Sequence, residues 1–390
     1  MSVALICGSL EPGHDGVGDY SRELAAELIR QGHDARLISL ADRAVDGIAE
    51  TMQEAGGVSV KALRIPDSVP WPQRVAVARE YLERGKVSGI SFQFVPYSYS
   101  PKGVIRTALP FLVRLAEGRK VHMMFHELWI GNSMNSPFKH RLVGALQKHY
   151  VIRLIRKLAP MAVHTTNPAY AGFLARDRIS AGVLPLFGNV AIQADAGTEQ
   201  ALDIFRKQGV DLSSPDRMEY WVGGIFGSIH PEWTPEPFFS ELATMAAAKN
   251  RKVVIAGIGR FGAKGDRLWS EMVRTYGDRI QFALLGPLPV ETISRVFRHL
   301  DFGISTTPWR VFGKSSTGAS MTDHGLPVIV TRDDWRPRPA LDIEFNDSPL
   351  VRRLDAGIMA GFSDFMAAKR EPASARSEVA RRFIEVISGL

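Results

Sequence analysis

Short apolar runs alternate along the chain with stretches in which apolar residues return every third or fourth position. That is the pattern of strand–helix–strand units building a parallel sheet. The first unit is the sharpest: Val3 to Cys7 reads as a buried strand, a glycine-containing loop follows, and Tyr20, Leu24 and Leu28 line one helical face. Gly32 ends that helix, and Ala35 to Leu40 supplies the next strand. Val60 to Ile65, Ser91 to Val95, Val121 to Phe125 and Met161 to His164 continue the series, with helices around Arg74 to Glu83, Ile105 to Ala116 and Lys139 to Leu158. A second series runs through Tyr220 to Phe226, Lys252 to Ala256, Ile280 to Leu285, Phe302 to Ser305 and Val328 to Thr331, each pair separated by a helical pattern.

The expected fold class is therefore α/β, with two Rossmann-like domains and an interdomain cleft. Between the two series, from Asn189 to Arg217, the composition turns polar and carries one helix-like piece, Glu199 to Gln208, before Pro215. The division that follows is a first domain at 1–195, a linker at 196–217, a second domain at 218–370 and a C-terminal helical segment at 371–390, free to pack back on the first domain. A last helix is predicted around Ser377 to Ile387.

Composition narrows the function classes. The chain has 390 residues, enough for two cores, and no apolar run approaches the roughly 18 to 20 residues of a membrane span. One cysteine, Cys7, leaves no internal disulfide and no multi-cysteine metal site, so a reducing cytoplasm fits best. The net charge of +7 favours anionic partners without choosing among them. Nucleic acid is not expected, because no basic–aromatic interleaving is present.

Four segments carry candidate chemistry. The loop from Gly8 to Tyr20, with Gly16 and Gly18 at the helix start, exposes backbone N–H groups to a ligand. His126 and Glu127 close the strand Val121 to Phe125 at a carboxyl edge, where open parallel sheets place ligands; the alternative is a surface pair beyond the strand end. Lys314, Ser315, Ser316 and Thr317 open a late helix, where hydroxyls, a cation and N–H groups, with Arg310 nearby, suit a diphosphate; the blander use of one such serine is a helix cap. Gly257-Ile-Gly259-Arg-Phe-Gly262 satisfies the dinucleotide spacing, but the next strand lacks a ribose-holding acid, which argues against a nicotinamide enzyme. No metal site is expected, since His122, His126 and Glu127 form no zinc pattern. The helix Lys139 to Leu158 places Leu142, Leu146, Tyr150, Leu154 and Leu158 on one stripe flanked by basic residues; a core-facing stripe is the favoured reading over contact with anionic lipid.

Taken in order, these segments resemble the GT-B glycosyltransferases, specifically family 4 and its relatives. Gly16 to His33 resembles the family's glycine loop and first helix, Phe125-His126-Glu127 its strand-end histidine, and Phe226-Gly227-Ser228-Ile229-His230-Pro231 the opening glycine loop of its second domain. Leu285-Gly286-Pro287-Leu288-Pro289 is similar to the segment flanking the nucleobase, and Asp301 to Ser305 and His324 to Thr331 resemble the closing strands.

The resemblance implies transfer of a sugar from a nucleotide-diphosphate sugar to an acceptor, without a metal or other cofactor. It implies donor contacts at Gly16, Gly18, Gly227, Ser228, His230, Leu285, Gly286 and Leu288, with His126 and Glu127 facing the transferred sugar, and the residues themselves add Arg310, Lys314, Ser315, Ser316, Thr317 and Asp323 to the expected donor contacts. Two features depart from the family pattern. The glycine loop lacks its basic residues, and the positions of the two motif glutamates are Phe312 and Ser320. Asp323 is the expected substitute for the ribose-binding glutamate, and Lys314 for the missing cations. Rival readings are a nucleotide-sugar 2-epimerase of the same fold and a non-catalytic nucleotide-sugar-binding partner protein.

Overall fold

A computed structural model describes residues 1–194, 198–213, 216–343 and 348–389. The chain forms two units. One comprises Met1–Leu186, Trp335–Glu344 and Arg376–Leu390; the other comprises Phe187–Asp334 and Phe345–Ala375.

In chain order the first unit contains β1 (Ser2–Cys7), α1 (Gly16–Arg30), β2 (Asp34–Asp42), β3 (Ala49–Ala55), β4 (Val58–Pro66), α2 (Trp71–Arg84), β5 (Gly89–Phe94), α3 (Leu109–Ala116), β6 (Lys120–Phe125), α4 (Phe138–Leu158), β7 (Ala162–Thr165), α5 (Pro168–Ala175) and β8 (Gly182–Val183). The strands make one sheet in the order β3-β4-β2-β1-β5-β6-β7-β8. Every pairing is parallel except β3 with β4. Every residue of β5 is buried, Ser91 and Gln93 included, as befits a central strand of a parallel sheet covered on both faces. The edge strand β3 escaped the sequence analysis because its exposed Glu50 and Glu54 and its buried Gln53 dilute the apolar signal.

The second unit contains α6 (Thr198–Arg206), β9 (Tyr220–Phe226), α7 (Phe238–Ala248), β10 (Lys252–Ile258), α8 (Gly262–Tyr276), β11 (Gln281–Gly286), α9 (Val290–His299), β12 (Phe302–Ser305), α10 (Ser316–Asp323), β13 (Val328–Val330), β14 (Val351–Arg353), α11 (Ala356–Ala360) and α12 (Phe362–Ala367). Its sheet is wholly parallel, in the order β11-β10-β9-β12-β13-β14. The expected linker is not a bare connector. Val190, Ala201, Leu202, Phe205, Val210 and Leu212 are buried in one cluster with Val296 and Phe297 of α9, because an amphipathic helix such as α6 must cover its apolar face. Residues 195–197 and 214–215 of the polar stretch 189–217, Pro215 included, lie outside the described residues.

The last helix, α13 (Arg376–Ser388), belongs to the first unit. Phe383 meets the His122 ring edge-on at 5.1 Å, Arg376 pairs with Glu23 at 2.6 Å, and Lys120 Nζ donates to the terminal carbonyls of Ile387 and Ser388. That cation lies where a helix C-terminus carries partial negative charge.

Helix α4 has the predicted extent but a different orientation. Leu154 is buried, yet Leu142 and Leu146 of the expected core stripe are 55% and 54% exposed. The inward face is Gly144, Gln147, Val151, Ile152, Leu154 and Ile155. Gly144 sits so close to the Ile130 carbonyl that a Cβ would lie 1.9 Å from its oxygen. Gln147 accepts from Ile130 N–H and donates to the Lys102 carbonyl and Tyr97 hydroxyl. Two neighbouring loops need polar partners, and that need sets the rotation of the helix.

Removing the Phe383 ring leaves a cavity between α13 and β6. The Phe383→Ala variant is expected to lose about 3–5 kcal/mol of stability in the first unit, read from urea denaturation.

Candidate functional site

In the second unit, the adjacent parallel strands β9, β10 and β11 end at one edge, and each runs into a glycine with positive φ: Gly227 (83°), Gly259 (99°) and Gly286 (66°). Gly227 N–H donates to Ile258 O and Gly259 N–H to Gly286 O, so the loops are tied to one another. A Cβ on Gly227 would meet Thr317 Cγ2 at 2.6 Å, so only glycine lets this loop approach α10.

That approach closes a pocket of about 200 Å³ lined by Ser228, Ser305, Thr306, Thr307, Lys314, Ser315, Ser316 and Thr317, with Ile225, Phe226 and Ile304 behind them. Ser315 is the N-cap of α10, its Oγ accepting from Gly318 N–H at 3.1 Å, so the capping reading holds for this residue. The first turn of the helix opens on the pocket, and its N–H groups and dipole favour an anion there. Sequence reasoning missed Ser305, Thr306 and Thr307, although three consecutive hydroxyls at the end of a strand were a readable signal.

His230, half-buried beside this pocket, donates its N–H to Thr306 Oγ1 at 3.1 Å. Its Nδ1 faces the guanidinium of Arg332 and the N–H of Glu232, so the ring proton belongs on Nε2. Burial first, and the Arg332 charge second, hold His230 below the ordinary histidine range. Arg332, which the sequence analysis did not select, therefore returns a cation to the loop that lacks one. Asp334 holds it by a two-pronged pair at 2.5 and 2.8 Å and Glu232 at 2.6 Å, which leaves Lys314 as the lysine or arginine lining the pocket.

Other selected residues lie elsewhere in this unit. Arg310 is turned to Asp333 at 3.6 Å. Leu285, Gly286 and Leu288 sit at the end of the outermost strand, joined to Gly259 but not lining the pocket. Asp323 is buried and accepts from Gly188 N–H at 2.9 Å, Ser374 Oγ at 3.2 Å and Ala375 N–H at 3.5 Å; its carboxylate fastens two chain segments rather than facing the pocket. The motif positions Phe312 and Ser320 are both buried. Ser320 Oγ accepts from Asn189 N–H, and a Cβ on Gly188 would meet Ser320 Cα at 2.6 Å, so the chain at 188–189 fills the space a glutamate would need.

In the first unit, the loop after β1 lines a pocket of about 600 Å³ with Gly8, Ser9, Glu11, His14 and Asp15, opposite Arg43 and Tyr97. Gly16 and Gly18 are not part of its wall. Asp15 caps α1 by accepting from Val17 and Gly18 N–H, so a carboxylate of the chain already holds this helix start. The loop is anchored by buried Asp42, which accepts from Arg64, Ser9 Oγ, Ser39 Oγ and the N–H groups of Leu10 and Ala44. Burial by itself would raise Asp42, but Arg64 and these donors outweigh it and bring its pKa to about 2.

His126 is buried while Glu127 is exposed, so the pair splits between interior and surface. Tyr20 packs edge-on to the imidazole at 5.0 Å. His126 Nε2 lies 2.8 Å from Gln93 Oε1, Gln93 Nε2 donates to Ser91 Oγ, Ser91 Oγ is 2.8 Å from His122 Nδ1, and His122 Nε2 is 3.0 Å from His164 Nδ1. With the amide so placed, one polarity satisfies every bond: each group donates to the next, and all three imidazoles are neutral. Burial produces that state, holding His126 at about 3 and pushing His122 and His164 down as well. His126 is left with Nδ1 as its acceptor.

Among the described residues, no helix is long and apolar enough to cross a membrane, and no three His, Cys, Asp or Glu side chains form a metal-binding group. No family model matches the chain, and no curated protein sequence matches it. Solved structures do match. HepE of Anabaena in complex with UDP and glucose aligns over 100% of this chain and 100% of its own at 14% identity, with a TM-score of 0.57. The catalytic domain of starch synthase IV of Arabidopsis thaliana bound to ADP and acarbose aligns over 100% and 95% at 14% identity, with a TM-score of 0.55. UDP-GlcNAc 2-epimerase of Methanocaldococcus jannaschii aligns over 100% and 100% at 9% identity, with a TM-score of 0.52. The likeness is one of fold: an α/β chain of two Rossmann-like parallel-sheet bodies, as in the GT-B proteins.

Two outcomes follow from this geometry. Between the folded value near 3 for His126 and the ordinary value of 6.5, the unfolded chain binds a proton that the folded chain does not, so stability rises with pH through this window and levels off above it. Melting temperature should fall between about pH 7.5 and 5.5, and His126→Asn should reduce that slope; equal slopes would remove His126 from the account. Ser320→Glu should destabilise the second unit by about 1–3 kcal/mol through overpacking against 188–189, measured by denaturant unfolding.

Proposed function

We propose that the chain is a glycosyltransferase that takes the diphosphate of a nucleotide sugar into the pocket at the start of α10. One observation carries the reading: Lys314, the first turn of α10 and the hydroxyl residues at 228, 305–307 and 315–317 converge on one small pocket at the carboxyl edge of a parallel sheet. A diphosphate matches that lining in charge and in hydrogen-bonding capacity. The structural neighbours support the choice of ligand, since two of them are described as complexes with UDP and glucose and with ADP and acarbose.

Breaking a glycosidic phosphate bond builds negative charge on the departing diphosphate and positive charge on the anomeric carbon. Fixed donors around the leaving group lower that barrier without a protein nucleophile. Lys314 and the helix start supply the positive potential in this reading, and it calls on no metal. In the first unit, neutral His126, held through Nε2 by Gln93, is suited to accept a hydrogen bond from a sugar hydroxyl through Nδ1 rather than to act as a proton acceptor near neutral pH.

The burial of Phe312 and Ser320 favours a second reading, a protein that binds a nucleotide sugar without transferring it. Calorimetry with UDP, ADP and GDP tests binding, and incubation of the sugar nucleotides with an acceptor panel tests transfer. Lys314→Ala should weaken nucleotide binding about tenfold to a hundredfold, the worth of a charged hydrogen bond. Unchanged affinity would overturn the pocket assignment, whereas binding without sugar transfer, hydrolysis or epimerisation would favour the second reading.

A further inference from the structure

The outer face of α4 is apolar in its first half and basic in its second. Phe138, Leu142 and Leu146 recur every fourth residue and are 73%, 55% and 54% exposed, and Met134, four residues earlier, is 52% exposed. Further along, His149, Arg153, Arg156 and Lys157 are also exposed. At 100° per residue, Phe138, Leu142, Leu146, His149, Arg153, Arg156 and Lys157 fall within a sector of about 100°, on a face about 28 Å long. Gln147 and Gly144 lock the opposite face against neighbouring loops, so the exposure is fixed by packing.

The charge of this region has one sign. No Asp or Glu occurs between Glu127 and Asp177, while seven Lys and Arg residues do. Lys148 reaches Asp177 at 2.8 Å, but among the described residues no carboxylate pairs with Arg153, Arg156 or Lys157. The occupant must therefore accept large apolar side chains at one end of a line and cations at the other. A second copy of the chain meets this badly. Antiparallel pairing of two α4 faces sets cations on leucines, and parallel pairing sets cations on cations. A bilayer with anionic headgroups presents hydrocarbon and phosphate along one plane.

We propose that α4 docks the protein on an anionic lipid surface, with Met134, Phe138, Leu142 and Leu146 entering the boundary between headgroups and acyl chains, and Arg153, Arg156 and Lys157 on lipid phosphates. The contact is peripheral, and it stands independently of the transferase reading.

Co-sedimentation with vesicles tests it, comparing phosphatidylglycerol–phosphatidylcholine mixtures with phosphatidylcholine alone. The wild-type chain should bind the anionic vesicles, lose binding as salt rises and leave the neutral ones in solution. Neutralising Arg153, Arg156 and Lys157 to Gln should weaken binding about fivefold per cation, roughly a hundredfold for all three. Leu142→Glu with Leu146→Glu should abolish it while keeping the wild-type circular dichroism and melting temperature, since neither side chain packs in the core. Equal binding to neutral vesicles, or wild-type binding by either variant, would overturn the proposal. So would a wild-type dimer in sedimentation velocity that the leucine double variant dissolves, with no vesicle binding: that result assigns the face to a second copy.

Discussion

The candidate site rests on one constraint: parallel strands in register finish at a common edge, and their loops must pass one another at backbone distance. Gly227 and Gly259 meet that demand in the second unit with positive-φ conformations that a side chain disfavours, and at Gly227 the clearance to Thr317 excludes one as well. Because the loop at 227 lies against Thr317, the start of α10 is drawn up to the ends of β9 and β12. A helix terminus and hydroxyls from three separate chain segments then share one pocket, with the positive end of the helix dipole fixed in place.

The same unit explains where its acidic groups went. Asp323 and Ser320 take up the N–H groups of Gly188 and Asn189, so the segment leading into α6 is fastened to α10 through the aspartate expected to hold a ribose and through the residue at a motif-glutamate position. Asp334 and Glu232 hold Arg332 beside His230, and the cluster sits next to the pocket with its charge largely spent internally. Buried polar groups have to be paired, and here the pairing is with the protein itself.

In the first unit, pairing runs along the sheet. Ser91 and Gln93 of β5 face His122 of β6 and His126 just beyond its end, and four hydrogen bonds carry a fixed polarity from the strand end to His164. Such a chain orients the His126 ring and keeps it neutral, because any added proton would leave a donor without an acceptor in a buried place. Helix α4 obeys the same rule from outside: satisfying the loop at Ile130 and Lys102 turned its Gln147 inward and its leucines out.

Sequence by itself determined the two Rossmann-like bodies, most strand positions, the late helix opening at Lys314 and the strand end at His126. Those properties follow from local periodicity and from glycine and helix-start chemistry, which each segment carries on its own. Tertiary structure decided which groups are consumed by packing and which face a ligand. Asp323, Arg310, Gly18 and the leucines of α4 carry the same residue types whether they bind, cap or lie exposed. Their roles were settled by partners, Gly188, Asp333, Asp15 and Ile130 among them, and in the first, third and last of these cases the contact is to a backbone group or is a cap that no side-chain motif records. The edge strand β3 and the burial of α6 were likewise invisible to local pattern, since one depends on pairing and the other on a neighbouring helix.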